Sequence, residues 1–105
     1  MGLRSIEGYT DSLDALVVAL CRDFERRERE SASRRVEMEY KYLNTRMLEA
    51  ACDIAGAEDG RRMIEEIGER IGYAKSEIAE PSEASYKRLK LATKIAIARR
   101  LYLMD

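Results

Sequence analysis

Val36, Tyr40, Leu43, Met47, Ala50 and Ile54 are separated by 4, 3, 4, 3 and 4 residues. Such spacing places every one of them on one side of an α-helix, and no strand can use it, because strand side chains alternate with a period of two. Leu13, Leu16, Val17, Leu20 and Phe24 repeat the pattern upstream. No stretch of the chain sustains strand-type alternation. The sequence therefore predicts an all-α fold, a small bundle of four or five helices, and its 105 residues suit one domain with a modest core. The expected organisation is a single helical domain, 1–105. Long amphipathic helices over 11–55 form a possible oligomerisation region, and a helix-turn-helix-like unit covers 60–103.

Local signals set the expected boundaries. Thr10 or Asp11 can cap the first helix. The polar run ERRERESASRR, residues 25–35, continues as helix or breaks near Ser31 and Ser33. Its default reading is a solvated face. Asp23–Arg27, Glu25–Arg29 and Glu30–Arg34 are acid-before-base pairs four apart, the favourable order on a helix. Gly56 should stop the second stripe, and Asp59 can cap the next helix. A helix over 61–71 buries Ile64, Ile67 and Ile71 and stops at Gly72. Gly68 inside it costs about 1 kcal/mol relative to alanine, and close approach of another helix would explain its presence. A connector, YAKSEIAE, carries at most a turn around Ile78. Pro81 and Ser82 then open a final helix, 83–102.

The chemistry available is narrow. The chain contains no histidine. This excludes Ser-His-Asp and Cys-His catalysis and every histidine metal site. Cys21 and Cys52 form no CxxC pair and read as small apolar packing groups in a reduced, cytoplasmic protein. Met38, Met47 and Met63 read as packing too. Glu65, Glu66 and Glu69 give EExxE, with Glu77 and Glu80 nearby. All-α nucleotide pyrophosphohydrolases hold magnesium with a similar cluster, but a solvated acidic face explains these glutamates more simply. No catalytic residue, metal or cofactor is expected, and the chain is read as a non-enzyme. The N-terminal MGLRSIEGYT lacks an apolar signal core and no segment approaches a membrane span, so no membrane contact is expected.

Charge is distributed unevenly. The net charge is −1, yet residues 82–105 carry six basic and two acidic residues. On a helical projection of 83–102, Ala84, Leu91, Ala92, Ile95, Ala96, Ala98, Tyr102 and Leu103 share one arc. Tyr86, Lys87, Lys90 and Lys94 lie opposite. Ile97 and Leu101 also fall outside the arc and predict a further packing or oligomer contact. A basic face at the start of a helix is suited to phosphate and to the major groove. The candidate DNA-binding residues are Ser82, Ser85, Tyr86, Lys87, Lys90 and Lys94, with Arg61 and Arg62 on the preceding helix reaching phosphate.

The stretch SEASYKRLKLATKIAIARRLYL, Ser82 to Leu103, resembles the C-terminal region of the ArpU-like phage transcriptional regulators. Ser82, Tyr86, Arg88, Lys90, Ala98 and Leu101 occupy the matching positions, and IEEIGERIGYAKS, Ile64 to Ser76, resembles their supporting helix. The connector YAKSEIAEP is longer than a tight helix-turn-helix turn. The resemblance, over about residues 62–103, implies sequence-specific binding of double-stranded DNA by a phage or prophage regulator. It also implies a dimer, for which the amphipathic helices of 11–55 could supply the contact. The alternative is a non-enzymatic helical protein for protein–protein interaction or phage assembly, favoured by the Val36–Ile54 seam and by Ile97 and Leu101.

Overall fold

The computed structural model describes residues 8–31 and 37–105. The expectations for Ser33, Arg34 and Val36, and for the Met38 side chain, lie outside the described residues. The described chain is all-α, with five helices and no strand: α1 Asp11–Arg22, α2 Phe24–Ser31, α3 Glu37–Ala55, α4 Gly60–Gly68 and α5 Glu83–Arg100. α3 is central and packs against α2, α4 and α5, while α1 lies on α4 and α5.

Capping explains most of the boundaries. The Thr10 side chain accepts a hydrogen bond from the Leu13 N–H, and that of Ser82 accepts from Ser85, so two of the expected caps form. Gly56, at φ +95°, ends α3 as expected. Asp59 occupies the N-cap position of α4 but makes no side-chain capping bond. Gly72 is not the stop of α4. The helix ends at Gly68, and the left-handed residue that closes it is Arg70, at φ +56°. No helical turn forms at Ile78. The connector has one 3₁₀ turn, Tyr73–Lys75, and Ile78 is buried beyond it.

The core comprises Val17, Val18, Cys21 and Phe24 from the first two helices, Met47, Ala50 and Ala51 from α3, Met63, Ile64 and Ile67 from α4, and Tyr86, Ile95, Ile97 and Ala98 from α5. The middle of the α3 seam is thus buried inside the chain, although Ile54 at its end stays exposed. Gly68 has the expected role. A Cβ there would lie 2.7 Å from the Arg22 Cα and N, so α1 and α4 meet backbone to backbone. Gly60 sits equally close to α3, where an added Cβ would be 2.9 Å from the Cys52 Cα.

The polar run of α2 is not wholly solvated. Arg27 is buried; its Nε donates to Asn44 Oδ1 at 2.7 Å and its guanidinium to the Leu20 carbonyl at 2.6 Å. Asn44 in turn donates to the Phe24 carbonyl at 2.9 Å. The chain breaks at Asp23, between α1 and α2, which frees carbonyls at the end of α1. A buried carbonyl needs a donor, and Arg27 and Asn44 supply donors at this break. Asp23 makes its ion pair with Arg26, at 3.3 Å, in place of the expected partner.

Candidate functional site

The candidate DNA-binding surface rests on which face α5 turns outward. The helix is rotated relative to the sequence projection. Tyr86 is only 1% exposed and Ile97 is fully buried, while Ala84 and Ala92 face solvent. Size decides this. Apolar residues occur around most of α5, and burying a tyrosine or isoleucine removes far more apolar area from water than burying an alanine. Of the two contacts expected from Ile97 and Leu101, the structure shows packing within the chain: Ile97 is in the core and Leu101 is half-buried against it.

Burying Tyr86 requires a partner for its hydroxyl, and α4 provides one. Tyr86 donates to Glu66 at 2.7 Å. Glu66 is 3% exposed and also accepts from the Ser76 hydroxyl at 2.6 Å and the Glu77 N–H at 2.9 Å. The Tyr86 hydroxyl lies 3.1 Å from the Ile71 carbonyl oxygen as well. Burial, followed by the bond to Glu66, pushes the Tyr86 pKa up to about 12. The Glu66 node thus ties the connector to both helices that flank it. The Tyr73 ring lies 5.9 Å from that of Tyr86, and its hydroxyl donates to the Glu80 carbonyl at 2.9 Å.

The lysines are engaged too. The Lys90 ammonium donates to the Ile71 carbonyl and lies 5.3 Å from the centre of the Tyr86 ring. Burial, and then the charge of Lys94, lowers its pKa. Lys94 pairs with Asp14 of α1 at 2.8 Å, both side chains being mostly covered. Asp14 also accepts from the buried Tyr9 hydroxyl at 2.8 Å. Lys87 is exposed and pairs with Glu83 at 3.2 Å. Ser85 donates to the Glu80 carboxylate, and Ser82 serves as the cap. Arg61 holds Glu28 of α2 through two bonds of 2.8 Å and covers the Phe24 ring, whereas Arg62 lies 3.8 Å from Glu77. All eight candidate residues therefore have a partner within the chain. The pairs of Lys87 and Arg62 are exposed and worth little; those of Tyr86, Lys90 and Lys94 are built into the packing.

The three glutamates of EExxE diverge. Glu66 points inward to its three donors, Glu69 is exposed, and Glu65 is half-buried with its pKa raised by burial and by a hydrogen bond with Glu25. Among the described residues no group of three or more acidic or cysteine side chains is placed to hold a metal. Cys21 is buried as expected, with its thiol pushed up to about 12, and Cys52 is half-buried. No helix among the described residues is long and apolar enough to cross a membrane.

A surface cluster absent from the sequence expectations joins α3 to the end of α5. The Arg46 guanidinium lies 5.3 Å from the ring centre of Tyr42 and 5.4 Å from that of Tyr102. It donates to the Arg100 carbonyl at 3.1 Å and to the Tyr102 hydroxyl at 3.2 Å. Tyr42 is 62% exposed and Tyr102 is 81% exposed, with Leu103 beside it also exposed. Arg100 reaches back to α3, bonding Glu49 at 2.9 Å and Asp53 at 2.5 Å. The four-residue spacing of Tyr42 and Arg46 was legible in the sequence, but the contact with Tyr102, 56 residues away, was not.

Comparison with protein-family models, with curated proteins and with solved structures found no match.

Proposed function

We propose that this chain is a non-enzymatic helical protein that acts by binding another protein through the Tyr42–Arg46–Tyr102 surface. One observation carries the reading: two largely exposed tyrosines from distant parts of the chain flank one arginine, whose guanidinium lies 5.3 and 5.4 Å from their ring centres. Tyrosine and arginine are the residue types enriched at the energetic centres of protein interfaces, because they offer large contact area with a polar tip. Tyr102 also sits at φ +60°, a left-handed conformation that costs a bulky residue about 1 kcal/mol and that glycine would adopt freely. Arg46 offsets that cost and keeps the ring on the surface.

The test replaces Tyr42 with a photoreactive phenylalanine analogue and cross-links in extracts of the cells that make the protein. A discrete protein adduct is expected, absent when the same group is placed at exposed Glu58. With the partner in hand, Tyr102→Ala should weaken binding about 30-fold with helicity unchanged. Equal labelling at both positions would refute the reading.

A second reading is binding of double-stranded DNA. It is favoured by Lys87 and Arg88, which remain exposed on the capped first turns of α5. Without Tyr86 and Lys94 such binding would be weak, sequence-independent and strongly salt-dependent.

A further inference from the structure

α3 keeps a second stripe on its outer side. Leu43, Met47 and Ala50 are turned toward the core, whereas Tyr42, Arg46, Glu49 and Asp53 follow one another at steps of 4, 3 and 4 residues. Those steps set the four side chains on one line along the helix, about 16 Å long. Tyr42, Glu49 and Asp53 are exposed, and Tyr102 borders the line through its contact with Arg46.

The four groups keep bonding capacity that the chain does not use. Arg46 donates through one nitrogen, Nη2, to the Arg100 carbonyl and the Tyr102 hydroxyl. Both acceptors are neutral, and Nε and Nη1 are left with N–H groups to give. Arg46 does not bond Glu49, three residues on, because its guanidinium sits between the Tyr42 and Tyr102 rings. Glu49 and Asp53 each accept from Arg100 through one oxygen, which leaves the second oxygen of each carboxylate. The Tyr42 hydroxyl has no hydrogen-bond partner among the described residues. Unused donors therefore occupy the N-terminal half of the stripe, and unused acceptors its C-terminal half.

Such a stripe is complementary to itself. A two-fold axis crossing α3 between Arg46 and Glu49 lays a second α3 antiparallel on the first. Arg46 then meets Glu49 of the second copy and Tyr42 meets its Asp53, and symmetry repeats both pairs. The spacing reads the same in either direction, so all four contacts are made together. A parallel alignment sets Arg46 on Arg46 and Glu49 on Glu49 and is repulsive. The net charge of −1 leaves little overall repulsion between two copies. We infer that the partner of this surface is a second copy of the chain, docked antiparallel along the outer stripe of α3. The inference rests on the reading of Tyr42, Arg46 and Tyr102 as a protein contact, and names the protein that makes it.

The experiment is sedimentation equilibrium on the purified full chain, from about 1 μM to 1 mM, the range of weak to moderate affinities. A monomer–dimer equilibrium is expected. Arg46→Glu and Glu49→Arg are then examined separately and mixed. Each reversal acts twice across the two-fold axis, so each variant alone should dimerise about 100-fold more weakly. An equal mixture should dimerise again, because every altered position then faces the opposite charge. No contact within one chain produces that recovery. A photoreactive analogue at Tyr42 in the purified chain supplies a second measurement, which decides the matter if circular dichroism shows that a reversal unfolds the chain. Its adduct should map to the segment around Asp53 of another copy. A chain that stays monomeric throughout, helical variants that do not recover on mixing, or an adduct remote from Asp53 would each overturn the inference. A monomeric chain that still gives a discrete adduct with a different protein in extracts removes this inference alone. Loss of both the dimer and that adduct removes the underlying reading with it.

Discussion

Removing a single oxygen, by Tyr86→Phe, tests the orientation of α5 directly. In the structure the hydroxyl donates to Glu66 at 2.7 Å in a site that is 1% exposed. The ring remains, so no apolar cavity opens. Ser76 and the Glu77 N–H still satisfy Glu66, and Lys90 still serves the Ile71 carbonyl. The loss is therefore one hydrogen bond to a carboxylate, about 1.5–3 kcal/mol. With a urea m-value of about 1–2 kcal/mol/M for a chain of this size, the unfolding midpoint should fall by about 0.8–3 M with m unchanged. Circular dichroism at the helical minimum is a sufficient assay. Tyr42→Phe is the control, because that ring is 62% exposed and its hydroxyl has no buried partner. It should stay within about 0.5 kcal/mol of the parent. If Tyr86→Phe were equally silent, α5 would present Tyr86 outward, as a DNA-reading helix requires, and the packing of Tyr86 against Glu66 would be wrong.

The same buried groups set the response to alkali. Burial raises the pKa values of Tyr9, Tyr86 and Cys21 in the folded chain, the last two to about 12. The folded state therefore holds protons that the unfolded state releases, so stability is full below about pH 9 and declines between about pH 9 and 12. Urea midpoints across that range should fall, and less steeply in Tyr86→Phe; a flat profile would contradict the burial of these groups. Gly68→Ala should lower the melting temperature even though alanine favours helix by about 1 kcal/mol, because the new Cβ meets the α1 backbone at 2.7 Å and separating two helices costs about 1–3 kcal/mol. Gly72→Ala, which meets nothing within 4 Å, should be neutral or stabilising by about 0.4–1 kcal/mol.

Much of the fold was written locally. The spacing of Leu13–Phe24 and Leu43–Ala50 specifies helices, Thr10 and Ser82 specify their starts, and Gly56 specifies a stop. Each is a property of adjacent residues and needs no knowledge of the rest of the chain. Gly68 carried a further hint, since a glycine within a helix implies a close neighbour; only the structure identifies that neighbour as α1 at Arg22. The orientation of α5 could not be read in this way. Its apolar residues are spread around the helix, so the arc singled out by the projection was one of several faces that could be buried, and the structure chose another. The choice fell to Glu66, which lies 20 residues from Tyr86 and supplies the acceptor that a buried tyrosine hydroxyl needs. The same limit applies to Arg27, whose place in a charged run predicts solvent, while its burial depends on Asn44 and a carbonyl exposed by the break at Asp23. Local periodicity and capping determined that this chain is a bundle of helices. Tertiary structure decided which charges remain on its surface, because a polar side chain is drawn inward only where distant residues satisfy every donor and acceptor it brings.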